Sequence, residues 1–171
     1  MKISRGMIHN EHADRTIHLM NTSSELKKQL ELYLPRQTRA AEETVAVGDV
    51  LGRLLPMGSI LALYGELGSG KTHLVKGIAR ALGIAPESVS SPTFTLVHEY
   101  TGPVGTLYHM DLYRLKHPEE FEAIGYEDYF YGPGITVIEW PERVEAYLPP
   151  HTLSLELTHC GEDCRLIRLK T

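Results

Sequence analysis

The run Gly65-Glu66-Leu67-Gly68-Ser69-Gly70-Lys71-Thr72 meets every fixed position of the phosphate-binding pattern G-x-x-x-x-G-K-[ST]. The pattern also constrains its neighbours. An apolar run, Ile60–Tyr64, precedes it and a helix-patterned run, His73–Leu82, follows it. A strand, a glycine loop and a helix in that order form the unit that cradles a phosphate. Glycines at 65, 68 and 70 let successive backbone N–H groups converge on phosphate oxygens. The helix start near Lys71 adds unpaired N–H groups and the positive end of its dipole. In this reading Lys71 neutralises phosphate charge and the Thr72 hydroxyl ligates Mg²⁺, which makes a nucleoside triphosphate such as ATP the expected ligand.

The chain has 171 residues, which suits one domain with its own core. Residues 1–30 are polar and carry His9, His12 and His18; they are expected to form a weakly ordered extension with one short helix near Ser23–Leu32. Residues 31–171 are expected to form a single P-loop domain. A formal charge of −5 argues against nonspecific nucleic-acid binding through the whole surface. No apolar stretch approaches the roughly 20 residues of a membrane span, and no apolar signal core follows Met1–Gly6. A cytoplasmic protein that makes no membrane contact is expected. Cys160 and Cys164 are read as two reduced thiols flanking a turn at Gly161-Glu162-Asp163, since their spacing is not C-x-x-C.

The remaining pattern predicts an α/β fold. A short strand is expected at Leu32–Pro35, then a helix over Arg39–Leu55 capped by Thr38, with Val45, Val47, Val50, Leu51, Leu54 and Leu55 mostly on one face. Strand 59–64, the P-loop and a helix over 71–82 ended by Gly83 follow. Strands are expected at Phe94–Tyr100 and Thr106–Met110, and a short helix from Pro118 to Ile124. A buried strand over Gly134–Glu139, one or two helical turns from Pro141 to Tyr147, and a closing hairpin of Leu153–Leu157 with Arg165–Leu169 complete the chain. Parallel crossovers together with hairpins imply a mixed sheet in a P-loop NTPase-like three-layer fold with a C-terminal hairpin.

Holding phosphate is only half of a reaction; hydrolysis or transfer also needs a carboxylate near Mg²⁺ and a group that positions the nucleophile. Asp111 and Glu139 each end an expected buried strand. Glu139 is assigned to the Mg²⁺ shell and Asp111 to orienting the attacking water; a helix cap or an ion pair with a nearby arginine is the alternative for each. Thr93, within Ser91-Pro92-Thr93-Phe94, offers a hydroxyl that would sense Mg²⁺ or the γ-phosphate, against a plain strand-opening turn. Trp140 either walls the nucleotide site or fills the core. Arg114 and Arg143 are the nearest basic side chains, suited to transition-state charge or to surface ion pairs.

Four segments now stand in a distinctive order: the P-loop, Ser91-Pro92-Thr93-Phe94-Thr95-Leu96, His109-Met110-Asp111-Leu112-Tyr113-Arg114-Leu115 and Val137-Ile138-Glu139-Trp140-Pro141-Glu142-Arg143. Together they resemble the bacterial TsaE family, from about Leu32 to the C-terminus. The resemblance implies a Mg²⁺-dependent ATPase of tRNA threonylcarbamoyladenosine synthesis. It implies action on the TsaB and TsaD proteins, and on tRNA only through that complex. It also implies that Lys71 contacts phosphate, that Thr72 and Glu139 serve Mg²⁺, that Asp111 is the second functional acid, and that Ser91–Phe94 is switch-like. Residue 73 is His where relatives commonly carry a second threonine. A small-molecule kinase and a nonenzymatic nucleotide-sensing adaptor are the alternative readings. Hydrolysis by the chain alone is expected to be slow.

Overall fold

Five successive residues without a charge, Ile60–Tyr64, can be buried on both faces only inside a sheet. The computed structural model, which describes residues 25–170, puts them at its centre. This strand, β2, is flanked by two parallel partners. The full sheet contains β1 (Arg36–Thr38), β2, β3 (Val97–Thr101), β4 (Thr106–Asp111), β5 (Ile135–Glu139), β6 (Leu153–His159) and β7 (Arg165–Leu169). Its spatial order is β1-β7-β6-β2-β5-β4-β3. The central pairs β6–β2, β2–β5 and β5–β4 are parallel, and the outer pairs are antiparallel. The mixed sheet and the closing β6–β7 hairpin are as expected.

Helices cover both faces. On one side lie α1 (25–33), α2 (Ala41–Leu54) and α3 (Lys71–Ala81), packed on Leu61, Leu63, Leu107 and Val137. On the other lie α4 (Pro118–Ala123) and α5 (Tyr126–Phe130), packed on Ile60, Met110 and Ile138. Strand alternation sorts the side chains between the two. The second core is aromatic: Phe121 stacks on Tyr126 with ring centroids 4.7 Å apart and also meets Phe130 and Tyr147. Each such pair contributes about 0.5–1.5 kcal/mol beyond its buried area.

Several local expectations are corrected. Leu32–Pro35 is not a strand. Leu26, Leu30 and Leu34 recur every four residues, so the segment buries a helical face, and α1 runs to residue 33. Pro35 then halts the helix, and β1 follows it. The helix expected near Ser23–Leu32 is this one. The rest of the expected N-terminal extension, with His9, His12 and His18, lies outside the described residues.

Helix α2 begins at Ala41 with Ala40 as its N-cap, so Thr38 does not cap it. Thr38 ends β1 instead, and its hydroxyl lies 2.8 Å from that of Thr44. The carboxylate of Glu43 reaches back to the Arg39 N–H at 2.7 Å. The buried stripe of α2 is Thr44, Val47, Gly48, Leu51 and Gly52, while Val45, Val50 and Leu54 are half-buried.

Strand β3 starts at Val97, not Phe94. Leu96 adopts φ 65°, and the N–H groups of Thr95 and Leu96 both donate to Pro92 O, so 92–96 is a turn. Cys160 and Cys164 are not free thiols but a disulfide. The hairpin end brings their Cα atoms to 4.9 Å, within disulfide range, with Cys160 N–H donating to Cys164 O. Helix α5 is an element that the sequence pattern does not predict; Gly125, at φ 68°, opens it.

Helices α2 and α3 cross with almost no space between their backbones. A Cβ on Gly48 would stand 2.2 Å from Leu74 O, and one on Gly77 would stand 2.1 Å from Val45 O. Gly77→Ala therefore forces the helices apart, although alanine alone favours a helix by about 1 kcal/mol. We expect a net destabilisation of about 1–3 kcal/mol, as for other overpacked sites. Thermal unfolding checks this, and an unchanged or raised Tm would contradict the tight crossing.

Candidate functional site

The loop after β2 turns on its glycines. Gly65, Gly68 and Gly70 have φ of 144°, 78° and 99°. At Gly65 the reason is also steric: a Cβ would lie 2.4 Å from Leu157 O on β6. Ser69 N–H donates to Glu66 O at 3.2 Å and closes the turn. Gly70 is then the N-cap of α3, and no side chain caps that helix. Ser69 Oγ is buried and has no hydrogen-bond partner among the described residues.

Lys71 is buried at the centre of this loop. Its Nζ donates to Gly65 O at 2.7 Å and Glu66 O at 2.9 Å, and it lies 4.1 Å from the centre of the Trp140 ring. Burial pushes its pKa below the usual lysine value, while Glu139, Glu142 and Asp111 pull it back up. Trp140 is half-buried: it lines this cleft and also packs against the second core. Its backbone is left-handed, at φ 61° and ψ 47°. That conformation is sparsely populated for any residue except glycine, and it tends to occur at functional sites.

The two strand-end acids meet. Asp111 and Glu139 are register partners across β4 and β5, and Glu139 also pairs with Leu63 of β2. Both share the alternation of Leu107 and Val137, so both face α3. The Thr72 hydroxyl donates to Glu139 Oε1 at 2.9 Å. On the other carboxylate, Asp111 Oδ2 accepts from Ser91 Oγ and, at 2.6 Å, from Thr93 Oγ1. Its Oδ1 accepts the Tyr113 N–H at 3.0 Å. Among the described residues neither acid caps a helix or pairs with an arginine.

The loop of Ser91, Pro92, Thr93 and Phe94 thus closes over Asp111. Pro92 is buried, whereas Phe94 is 81% exposed and carries the Arg114 guanidinium 4.1 Å above its ring. The resulting cleft has a volume of about 350 Å³, within the range of small-molecule sites. Leu67, Gly68, Gly70, Lys71, Thr72, Asp111, Glu139, Ser91, Thr93 and Trp140 line it, and Arg114 does too; Arg143 is exposed outside it. His73 lies on its edge. Its pKa is pushed below the ordinary histidine value by partial burial first, then by Lys76 and Arg165.

Two features of the site escape the sequence reading. Tyr113 leans on Trp140 with ring centroids 4.9 Å apart. His109, inside β4, donates to Glu139. The signal for it was available: in His109-Met110-Asp111 the first and third residues of a strand share a face.

Known proteins match this chain over most of its length. The family model for "Threonylcarbamoyl adenosine biosynthesis protein TsaE" matches residues 38–167. A tRNA threonylcarbamoyladenosine biosynthesis protein TsaE from Treponema pallidum is 50% identical over 130 residues, spanning 76% of this chain and 95% of the relative. Its counterpart from Bacillus subtilis is 41% identical over 126 residues, spanning 74% and 78%. The crystal structure of Bacillus subtilis YdiB superposes with a TM-score of 0.66 at 35% identity, covering 80% of this chain and 83% of that one. Match, identity and coverage agree: the chain belongs to the TsaE family of tRNA threonylcarbamoyladenosine biosynthesis proteins.

Proposed function

We propose that this protein is a Mg²⁺-dependent ATPase that acts on the TsaB–TsaD complex during threonylcarbamoyladenosine synthesis on tRNA. The observation that carries the reading is the meeting of Thr72, Glu139 and Asp111 at the head of the glycine loop. The loop itself fits a phosphate. Its glycines hold backbone conformations that other residues rarely adopt, the α3 start has no side-chain cap, and Ser69 Oγ is a buried hydroxyl without a partner among the described residues. The oxygen donors of Thr72 and Glu139 fit a hard cation. Among the described residues no group of His, Cys, Asp and Glu encloses a metal by itself. Mg²⁺ suits that sparse donor set, because it keeps several waters and takes phosphate oxygens as ligands.

Each residue then has a task. Backbone N–H groups of Gly65, Glu66, Leu67, Gly68 and Gly70 bind phosphate oxygens, the Ser69 N–H closes the turn on Glu66 O, and the Lys71 ammonium balances the phosphate charge. Thr72 and Glu139 hold Mg²⁺, which supplies charge neutralisation at the phosphates. Trp140 walls the nucleotide and keeps water off Lys71. Asp111 orients the attacking water. Oδ1 has room for that water, because among the described residues it accepts only the Tyr113 N–H, whereas Oδ2 already accepts from Ser91 and Thr93. The Ser91 and Thr93 contacts tie the 91–94 loop to this same carboxylate, and that link suits a protein that responds to its nucleotide.

Four outcomes test the reading. Lys71→Ala should abolish both ATP hydrolysis and tRNA modification; hydrolysis at the parent rate would sink the P-loop assignment. Glu139→Gln should raise the Mg²⁺ concentration needed for half-maximal rate. Asp111→Asn should instead lower kcat by about 10²-fold with little change in Mg²⁺ dependence, as for loss of a positioned proton acceptor; steady-state kinetics across a Mg²⁺ titration separate the two. Adding TsaB and TsaD should accelerate hydrolysis, since partner groups can raise such rates by roughly 10³–10⁵. Identical rates with and without them would count against action on that complex.

A further inference from the structure

His109 is wholly buried, and it hydrogen-bonds to the same carboxylate oxygen that the P-loop helix holds. Its Nε2 lies 2.9 Å from Glu139 Oε1, and Thr72 Oγ1 lies 2.9 Å from that same atom. The ring is 0% exposed. Its other nitrogen, Nδ1, is buried with no hydrogen-bond partner among the described residues. A proton on Nδ1 would be a buried donor with nothing to receive it, which costs about 1–3 kcal/mol. A proton on Nε2 is received by Glu139. The surroundings therefore assign the ring proton to Nε2 and leave Nδ1 as a bare lone pair, the cheaper group to bury.

From this geometry we infer that His109 is a positioning residue for the cation site, fixing the Glu139 carboxyl group from the strand side while Thr72 fixes it from the helix side. This rests on the reading that Glu139 holds Mg²⁺. The backbone explains why a histidine can do it. His109 sits one pleat below Asp111 on β4, and Asp111 is the register partner of Glu139, so the imidazole reaches Glu139 diagonally across the β4–β5 pair. A carboxyl group at a strand end has a free χ3 rotation unless donors hold it. Thr72 alone would hold it only while its hydroxyl points at Glu139. A second donor on the rigid sheet keeps the carboxyl oriented when the Thr72 oxygen is engaged elsewhere.

The packing alternative is that His109 merely fills space between the sheet and α3. The two roles separate on chemistry. Glutamine can place its amide N–H near the Nε2 position; leucine fills the volume without a donor. The test compares the full chain with His109→Leu, His109→Gln and Glu139→Gln. Mn²⁺ affinity is measured by electron paramagnetic resonance in the presence of saturating ADP, with thermal unfolding of each protein alongside. We expect His109→Leu to weaken Mn²⁺ binding roughly 10–100-fold, the usual effect of losing a group that orients a ligand. His109→Gln should stay within about threefold of the parent, with ADP affinity in the absence of metal unchanged in both.

The outcomes are distinct. Unchanged Mn²⁺ affinity in Glu139→Gln would remove Glu139 from the cation site, and the proposed assignment with it. Weakened binding in Glu139→Gln but not in His109→Leu would overturn the His109 inference alone. Equal weakening in His109→Leu and His109→Gln would also overturn it, in favour of packing. If His109→Leu fails to fold, His109→Asn serves instead: its amide is too short to reach Oε1, so binding as tight as in His109→Gln would contradict the role.

Discussion

The register of three parallel strands is the constraint on which the rest of the molecule depends. Glu139 of β5 pairs with Leu63 of β2 on one side and Asp111 of β4 on the other. A slip of one residue in either pairing would turn an acid to the opposite face, into the aromatic layer of α4 and α5. The hydrophobic pattern forbids it. Leu107, Ile135 and Val137 belong to the core under α1–α3, whereas Met110 and Ile138 belong to the core under α4 and α5. The register that buries both sets is also the one that brings His109, Asp111 and Glu139 to the α3 side.

The second requirement is that α3 arrive at the right depth. Thr72 lies one residue inside that helix, so any shift of the helix relative to the sheet changes the 2.9 Å contact with Glu139. Its seat is set from behind. Gly48 and Gly77 remove the side chains that would separate α2 from α3, and backbone then meets backbone. Packed interiors have few voids, so this contact fixes position as well as supplying burial. The helix propensity lost at two interior glycines is the cost of that placement.

Much of this was legible in the sequence because it is local. A P-loop announces its strand and helix, and an acid after a β-branched run such as Ile135–Ile138 announces a strand end. What was not legible depends on partners distant along the chain. Gly77 in a helix reads as a weak point until Gly48 is seen opposite it. His109 within Leu107–Met110 reads as one polar residue in an apolar strand until Glu139 appears beside it. Leu96 gives no sign of a left-handed backbone, since only the turn onto Pro92 O requires it. The reading of Cys160 and Cys164 rested on spacing, whereas the hairpin geometry brings their Cα atoms together. Thr38 was assigned to a helix because capping residues are frequent there, but β1 pairing with β7 claimed it first.

Trp140 is the chain's single tryptophan, and its ring lies on the Lys71 ammonium. A cation held against an indole perturbs its excited state, so all tryptophan fluorescence of the protein originates at the phosphate end of the cleft. The spectroscopic signal that most proteins dilute over several sites is here confined to one. Withdrawal of the lysine toward an incoming anion would change the emission of an otherwise unlabelled molecule. The strained residue at the end of β5 thus doubles as a built-in optical probe of the glycine loop.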